Sequence, residues 1–84
     1  MAYRIVYKES VQRDLKKIDK AQITHVLDQI DKELTDHPES FPPLKGRFAG
    51  LRKYRIGAYR VIYAILDKDV VILRIGHRRE VYKK

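Results

Sequence analysis

Residues 51–66 read LRKYRIGAYRVIYAIL. Two short runs rich in Tyr, Ile and Val alternate apolar and polar residues on either side of Gly57-Ala58, which is the pattern of half-buried strands. A two-residue loop opening on glycine is the standard connection of a β-hairpin. With that loop, Ile56 opposes Tyr59 and Arg55 opposes Arg60. One face then carries Tyr54, Ile56, Tyr59, Val61, Tyr63 and Ile65, with Arg52 at its end. The other face carries Lys53, Arg55 and Arg60 beside the turn, then Ile62, Ala64 and Leu66. Directly opposed like charges destabilise a sheet. A hairpin keeps three cations together more readily if an anion binds there.

Outward from the hairpin, Asp67-Lys68-Asp69 reads as a turn and Val70–Ile75 as a third strand, giving a three-stranded antiparallel meander. Arg74 interrupts that apolar run and can reach either face. His77, Arg78 and Arg79 leave the third strand level with the hairpin, so one or two of Arg78 and Arg79, with Tyr82, are expected at the same cationic surface. Upstream, Pro42-Pro43 and the glycines at 46 and 50 make residues 37–50 a loop. His37-Pro38 ends the preceding helix, because the residue before proline avoids helical backbone angles. That helix runs from about residue 20 to Asp36, with Ile23, Val26, Leu27, Ile30 and Leu34 on one side of a 3.6-residue period. Asp19 and Gln22 have the spacing of a capping box at its start. Residues 9–18 form an earlier helix with Val11, Leu15 and Ile18 aligned. Residues 2–8 form a strand with Tyr3, Ile5 and Tyr7 on one face. The order of strand, helical hairpin and antiparallel strands predicts a single two-layer α+β domain over residues 1–84.

Charge narrows the range of partners. The net charge is +8, and all of the excess lies in the second half. Residues 1–42 hold seven Lys/Arg against eight Asp/Glu, and residues 43–84 hold twelve against three. A focused positive field of this kind attracts a polyanion, with nucleic acid first and an acidic protein segment second. There is no cysteine, no apolar stretch of signal-peptide type and no run near the ~20 residues of a membrane span. A soluble cytoplasmic domain is therefore expected.

The motifs exclude several chemistries. His25, His37 and His77 are scattered, so no metal-ligand spacing is present and no cofactor is expected. No glycine-rich phosphate loop occurs, and neither Ser10 nor Ser40 stands in a nucleophile setting. RNA cleavage needs none of these, because RNA carries its own nucleophile in the 2′-hydroxyl. The protein must hold the backbone, move two protons and stabilise extra negative charge, which Arg and Lys do. His77 or Tyr82 serves the proton transfer, and the sequence leaves open which is the base.

Leu44-Lys45-Gly46, Tyr54-Arg55-Ile56-Gly57 with Tyr59-Arg60-Val61-Ile62-Tyr63, and Gly76-His77-Arg78 ending in Glu80-Val81-Tyr82 together resemble the RelE/ParE toxin superfamily, closest to its RelE-like branch. The resemblance covers the whole chain. It implies a toxin of a type II toxin–antitoxin system that cleaves mRNA in the ribosomal decoding site without metal and pairs with an acidic antitoxin in a hetero-oligomer. By position, Lys53 and Arg55 resemble the strand cations that hold the scissile region. Arg60 resembles the transition-state arginine, Arg78 the arginine of charge stabilisation or leaving-group protonation, and Tyr82 the tyrosine at the 2′-hydroxyl. The hairpin is about two residues shorter than in the best-known pattern. Lys45, Arg47, Arg52 and Arg79 are read as further RNA contacts. The alternatives are a ParE-like poison of DNA gyrase, which shares the fold, and a basic module that binds RNA or a partner without catalysis.

Overall fold

The computed structural model describes residues 3–77, with the backbone alone at Arg47. The elements are β1 (Arg4–Tyr7), α1 (Glu9–Leu15), α2 (Lys20–Leu34), two short 3-10 turns at Pro38–Ser40 and Gly46–Phe48, β2 (Arg52–Ile56), β3 (Tyr59–Leu66) and β4 (Asp69–His77). The α+β two-layer architecture is the one the sequence predicts. The sequence reading leaves the partner of the first strand open. The sheet is mixed and four-stranded, in the order β1-β4-β3-β2, with β1 parallel to β4 and the other pairs antiparallel. The meander of three strands is real, and the first strand of the chain joins its far edge.

The hairpin register is the one read from parity: Ile56 pairs with Tyr59, and Arg55 with Arg60. Gly57 takes a φ of 59°, the left-handed value that the tight hairpin turn demands of its first loop residue. Asp67, at φ 59°, does the same for the β3–β4 turn, and Asp tolerates that region better than most residues.

One face of the sheet meets the helices. Val11 of α1, Ile18 and the α2 residues Val26, Ile30 and Leu34 close on Tyr54, Ile56, Val61, Tyr63, Val70, Ile72 and Ile75. The 3.6-residue stripe of α2 supplies its three fully buried residues, and Ile23 and Leu27 flank them half-buried. The β4 contribution depends on a bulge. Ile62 pairs with Arg74 while Tyr63 pairs with Ile72, so Leu73 is the extra residue. That insertion lets Ile72 and Ile75, three positions apart, face the same side, and both are fully buried.

The bulge also settles Arg74. β1 ends at Tyr7, opposite Ile72, and α1 covers the edge of β4 from there on. The Lys8 N–H donates to the Ile72 carbonyl at 3.0 Å, and the Ser10 hydroxyl donates to the Leu73 carbonyl at 2.7 Å. The Asp14 carboxylate accepts from the Ile75 N–H at 2.9 Å. It also takes a two-point contact from the Arg74 guanidinium, at 2.9 and 3.0 Å. Side chains of α1 thus replace the missing strand and satisfy backbone groups that a bare edge leaves open.

Two local expectations are corrected. The first helix stops at Leu15 instead of residue 18, and residues 16–18 turn the chain toward α2. Asp19 is the N-cap of α2 but makes no side-chain cap bond, so the capping box does not form. Its carbonyl accepts from the Ile23 N–H at 2.9 Å, the ordinary first bond of the helix.

Candidate nucleic-acid interface

The face of the sheet turned away from the helices is assembled from the β2–β3 hairpin. Lys53 pairs with Ile62, Arg55 with Arg60, and Arg60 in turn with Gly76 of β4. Lys53 and Arg60 are half-buried and Arg55 is exposed. In a two-residue hairpin the pair beside the loop is hydrogen-bonded, which makes Arg55–Arg60 the next, non-hydrogen-bonded pair with Cα atoms about 4.5 Å apart. Their mutual repulsion is on the order of 1 kcal/mol where water screens them. No Asp or Glu occurs between residues 40 and 66, so the hairpin has no acid of its own to offset this. Gly76, the β4 partner of Arg60, contributes no side chain of its own to that face.

The remaining cations are distributed differently. Arg52 points to the opposite side, where its guanidinium donates to the carbonyls of Phe41 at 2.7 Å and Glu39 at 3.2 Å. It fastens the loop rather than extending the cationic surface. Lys45 is exposed and precedes the 3-10 turn that contains Arg47. Both residues lie before the start of β2, at the end of that strand away from the hairpin turn. His77 pairs with Tyr59, and the two rings meet edge-on at 6.3 Å between centroids and 80° between planes. That register sets His77 on the helix-facing side, across the sheet from Arg60. Arg78, Arg79 and Tyr82 lie outside the described residues. Among the described residues no three His, Cys, Asp or Glu side chains come together as a metal site, and no helix is long and apolar enough to cross a membrane.

The tyrosines of the hairpin are structural. Tyr63 is fully buried, and its hydroxyl donates to the Pro38 carbonyl at 2.5 Å. Burial pushes its phenol up to about 12, with the Arg52 charge pulling the other way. Burial, and next the Glu33 charge, also raise Tyr54. Neither phenol is set up to act as a base near neutrality.

A feature absent from the sequence reading lies along the outer edge of β2. Phe41, Pro42, Lys53, Tyr54 and Arg55 line an open groove of about 350 Å³. The Phe41 ring rests on Tyr54 at 4.6 Å and 47°. The loop that presents it is held by Arg52 and Tyr63, by the Lys53 N–H donating to the Pro42 carbonyl at 3.2 Å, and by the Leu44 N–H donating to Leu51 at 2.8 Å. The available signal was a lone aromatic next to a proline pair, in a loop otherwise read only as a breaker.

Comparison with known proteins agrees with this architecture. Residues 5–82 match the family model described as the ParE toxin of the type II toxin–antitoxin system parDE. Toxin RelG of Mycobacterium tuberculosis is 32% identical over 87 aligned positions that cover all of both chains. The toxin–antitoxin complex RelBE2 from Mycobacterium tuberculosis contains a chain that superposes with a TM-score of 0.88 at 31% identity, covering 95% of each chain. The archaeal RelE–RelB complex from Pyrococcus horikoshii gives a TM-score of 0.63 at 30% identity over 95% of this chain and 99% of the other.

Proposed function

The chain belongs to the RelE/ParE superfamily and is a RelE-like toxin of a type II toxin–antitoxin system, and on that premise we propose that it is a ribosome-dependent, metal-independent mRNA endonuclease. The observation that carries this reading is the placement of Lys53, Arg55 and Arg60 together on the helix-free face of the hairpin, with Arg55 and Arg60 in direct register.

The reaction asks little of the protein beyond placement and charge. The substrate's 2′-hydroxyl loses its proton and attacks the adjacent phosphorus. The bond from phosphorus to the 5′-oxygen breaks, and that oxygen takes up a proton. The products are a 2′,3′-cyclic phosphate and a 5′-hydroxyl. Lys53 and Arg55 hold the scissile backbone, and Arg60 stabilises the phosphorane charge from its half-buried position, where donors act more strongly than in bulk water. Resemblance to the family assigns Tyr82 to the 2′-hydroxyl proton and Arg78 to the leaving oxygen. The edge-on contact of His77 with Tyr59 favours Tyr82 over His77 for the base. The ribosome supplies the orientation that a free, flexible RNA lacks.

The similar structures from Mycobacterium tuberculosis and Pyrococcus horikoshii are toxin–antitoxin complexes. We extend to this chain a cognate antitoxin, mostly acidic, that covers the basic half of the molecule. A second reading, DNA gyrase poisoning, is favoured by the ParE description of the matched family model.

The test is a cleavage assay with purified protein and ribosomes programmed with a defined mRNA, with EDTA controls on isolated RNA. A cut in the decoding site that leaves a cyclic phosphate, and that is lost in Arg60→Ala and Tyr82→Phe, supports the endonuclease. A folded wild-type protein that leaves the mRNA whole and blocks gyrase in a supercoiling assay replaces it with the second reading.

A further inference from the structure

We propose that the groove between Phe41-Pro42 and the outer edge of β2 is a nucleobase subsite, which takes the base of a nucleotide whose phosphate meets Lys53 and Arg55. The proposal rests on the reading of the hairpin face as an RNA site and adds to it a place where a base, rather than the backbone, is held.

Five features of the groove converge on this ligand. Its walls combine Phe41, Pro42 and Tyr54 with two cationic residues, Lys53 and Arg55. An aromatic face beside cations is the usual platform for single-stranded nucleic acid, because every base has a π-face and every nucleotide a phosphate. Its size, about 350 Å³, lies at the lower end of ligand pockets and suits one base with part of its sugar. It is open at the side, so a chain can continue in both directions.

The backbone adds a polar edge. The Lys53 N–H points outward to the Pro42 carbonyl. Backbone direction in a strand repeats every second residue, so the N–H and C=O of Arg55 point the same way. A donor and an acceptor at fixed spacing match the edge of a base better than they match a phosphate. The loop is also held in advance: Arg52 ties down the carbonyls of Glu39 and Phe41, and Tyr63 ties down Pro38. The Phe41 ring therefore needs little ordering when a base arrives.

The probe is a set of RNA tetranucleotides carrying 2′-O-methyl groups, which block cleavage, with each base removed in turn. Affinities are measured at low salt for wild type, Phe41→Leu and Phe41→Tyr, alongside the programmed-ribosome assay on wild type. Loss of one particular base is expected to weaken wild-type binding about 5- to 100-fold, in the range of base–aromatic stacking. Phe41→Leu is expected to bind the complete oligonucleotide as weakly and to ignore that base, while Phe41→Tyr restores the preference. Equal wild-type affinity for all four abasic oligonucleotides overturns the proposal, and this measurement depends on no variant folding. If wild type cuts programmed mRNA but shows no base effect, the subsite alone fails. If it shows the base effect but cuts nothing, the subsite stands and the endonuclease falls. Binding to none of the oligonucleotides removes the subsite, and the programmed-ribosome assay then decides the endonuclease on its own. A groove indifferent to bases whose Phe41→Leu change weakens antitoxin binding is a protein-docking site, which also overturns the proposal.

Discussion

Replacing Asp14 by alanine is expected to destabilise the domain far more than a typical charge deletion. The carboxylate is 7% exposed and accepts three hydrogen bonds, two from Arg74 and one from the Ile75 N–H. Ile75 is fully buried, so its N–H loses its acceptor in a place water does not easily reach, at a cost of about 1–3 kcal/mol. Breaking a fully buried ion pair costs about 3–5 kcal/mol. The Arg74 side chain is 35% exposed and can turn toward water, which brings its share well below that range. Together the two effects come to about 2–4 kcal/mol, against a total stability of about 4–13 kcal/mol for a chain of this length. The melting temperature is then expected to fall by about 10–30 °C. Asp14→Asn keeps an oxygen for the Ile75 N–H and one bond from Arg74, and should lose roughly half as much. Urea and thermal unfolding followed by circular dichroism measure both, and a double-mutant cycle with Arg74→Ala isolates the ion pair. A loss under about 0.5 kcal/mol for Asp14→Ala, or equal losses for Asn and Ala, would refute the argument that this carboxylate replaces a missing strand.

Arg55→Ala removes one of two opposed cations and is expected to leave stability at low salt unchanged or raised by up to about 1 kcal/mol, while cleavage falls and the salt slope of RNA binding drops by about 1; a destabilised variant contradicts this. Tyr63 links stability to alkaline pH. Its folded phenol, near 12, lies above the unfolded value near 10, so its contribution is complete below pH 10 and is lost as pH rises through 12. Tyr63→Phe should cost about 1 kcal/mol at neutral pH, for the bond to Pro38, and its urea midpoint should fall less steeply than wild type between pH 10 and 12. Arg4→Ala deletes the exposed pair with Asp69, held at 3.1 Å, and is expected to leave the thermal unfolding curve close to wild type, because water screens such a pair, in contrast to Asp14 with the same type of partner.

What the sequence made legible was local. The register of Arg55 with Arg60 followed from a two-residue loop and strict alternation, both contained in residues 51–66. The helix stripe of α2 was legible for the same reason. What it concealed was set by contacts far apart in the chain. The bulge at Leu73 is invisible to an alternation count, because its cause is the need to bury both Ile72 and Ile75. Asp14 and Arg74 are 60 residues apart, and Asp14 looks like any helix-surface acid until the edge of β4 arrives beside it. His77 follows from the same shift: one inserted residue moves it to the Tyr59 side. The groove at Phe41 depends on Arg52 reaching back 11 residues to a carbonyl, which no motif announces.

The parallel pairing of β1 with β4 means that this chain is closed by its two most distant strands, with Arg4 and Asp69 separated by 65 positions. A strand made before both helices waits for one made after β2 and β3. Until β4 emerges, β1 has no partner, α1 has no edge to cover and the core lacks Val70, Ile72 and Ile75. Such long-range closure cannot precede release of the C-terminal half from the exit tunnel. A molecule whose proposed target is the ribosome thus cannot complete its sheet until β4 has left the one making it, and messages cut short before β4 yield chains that cannot close it.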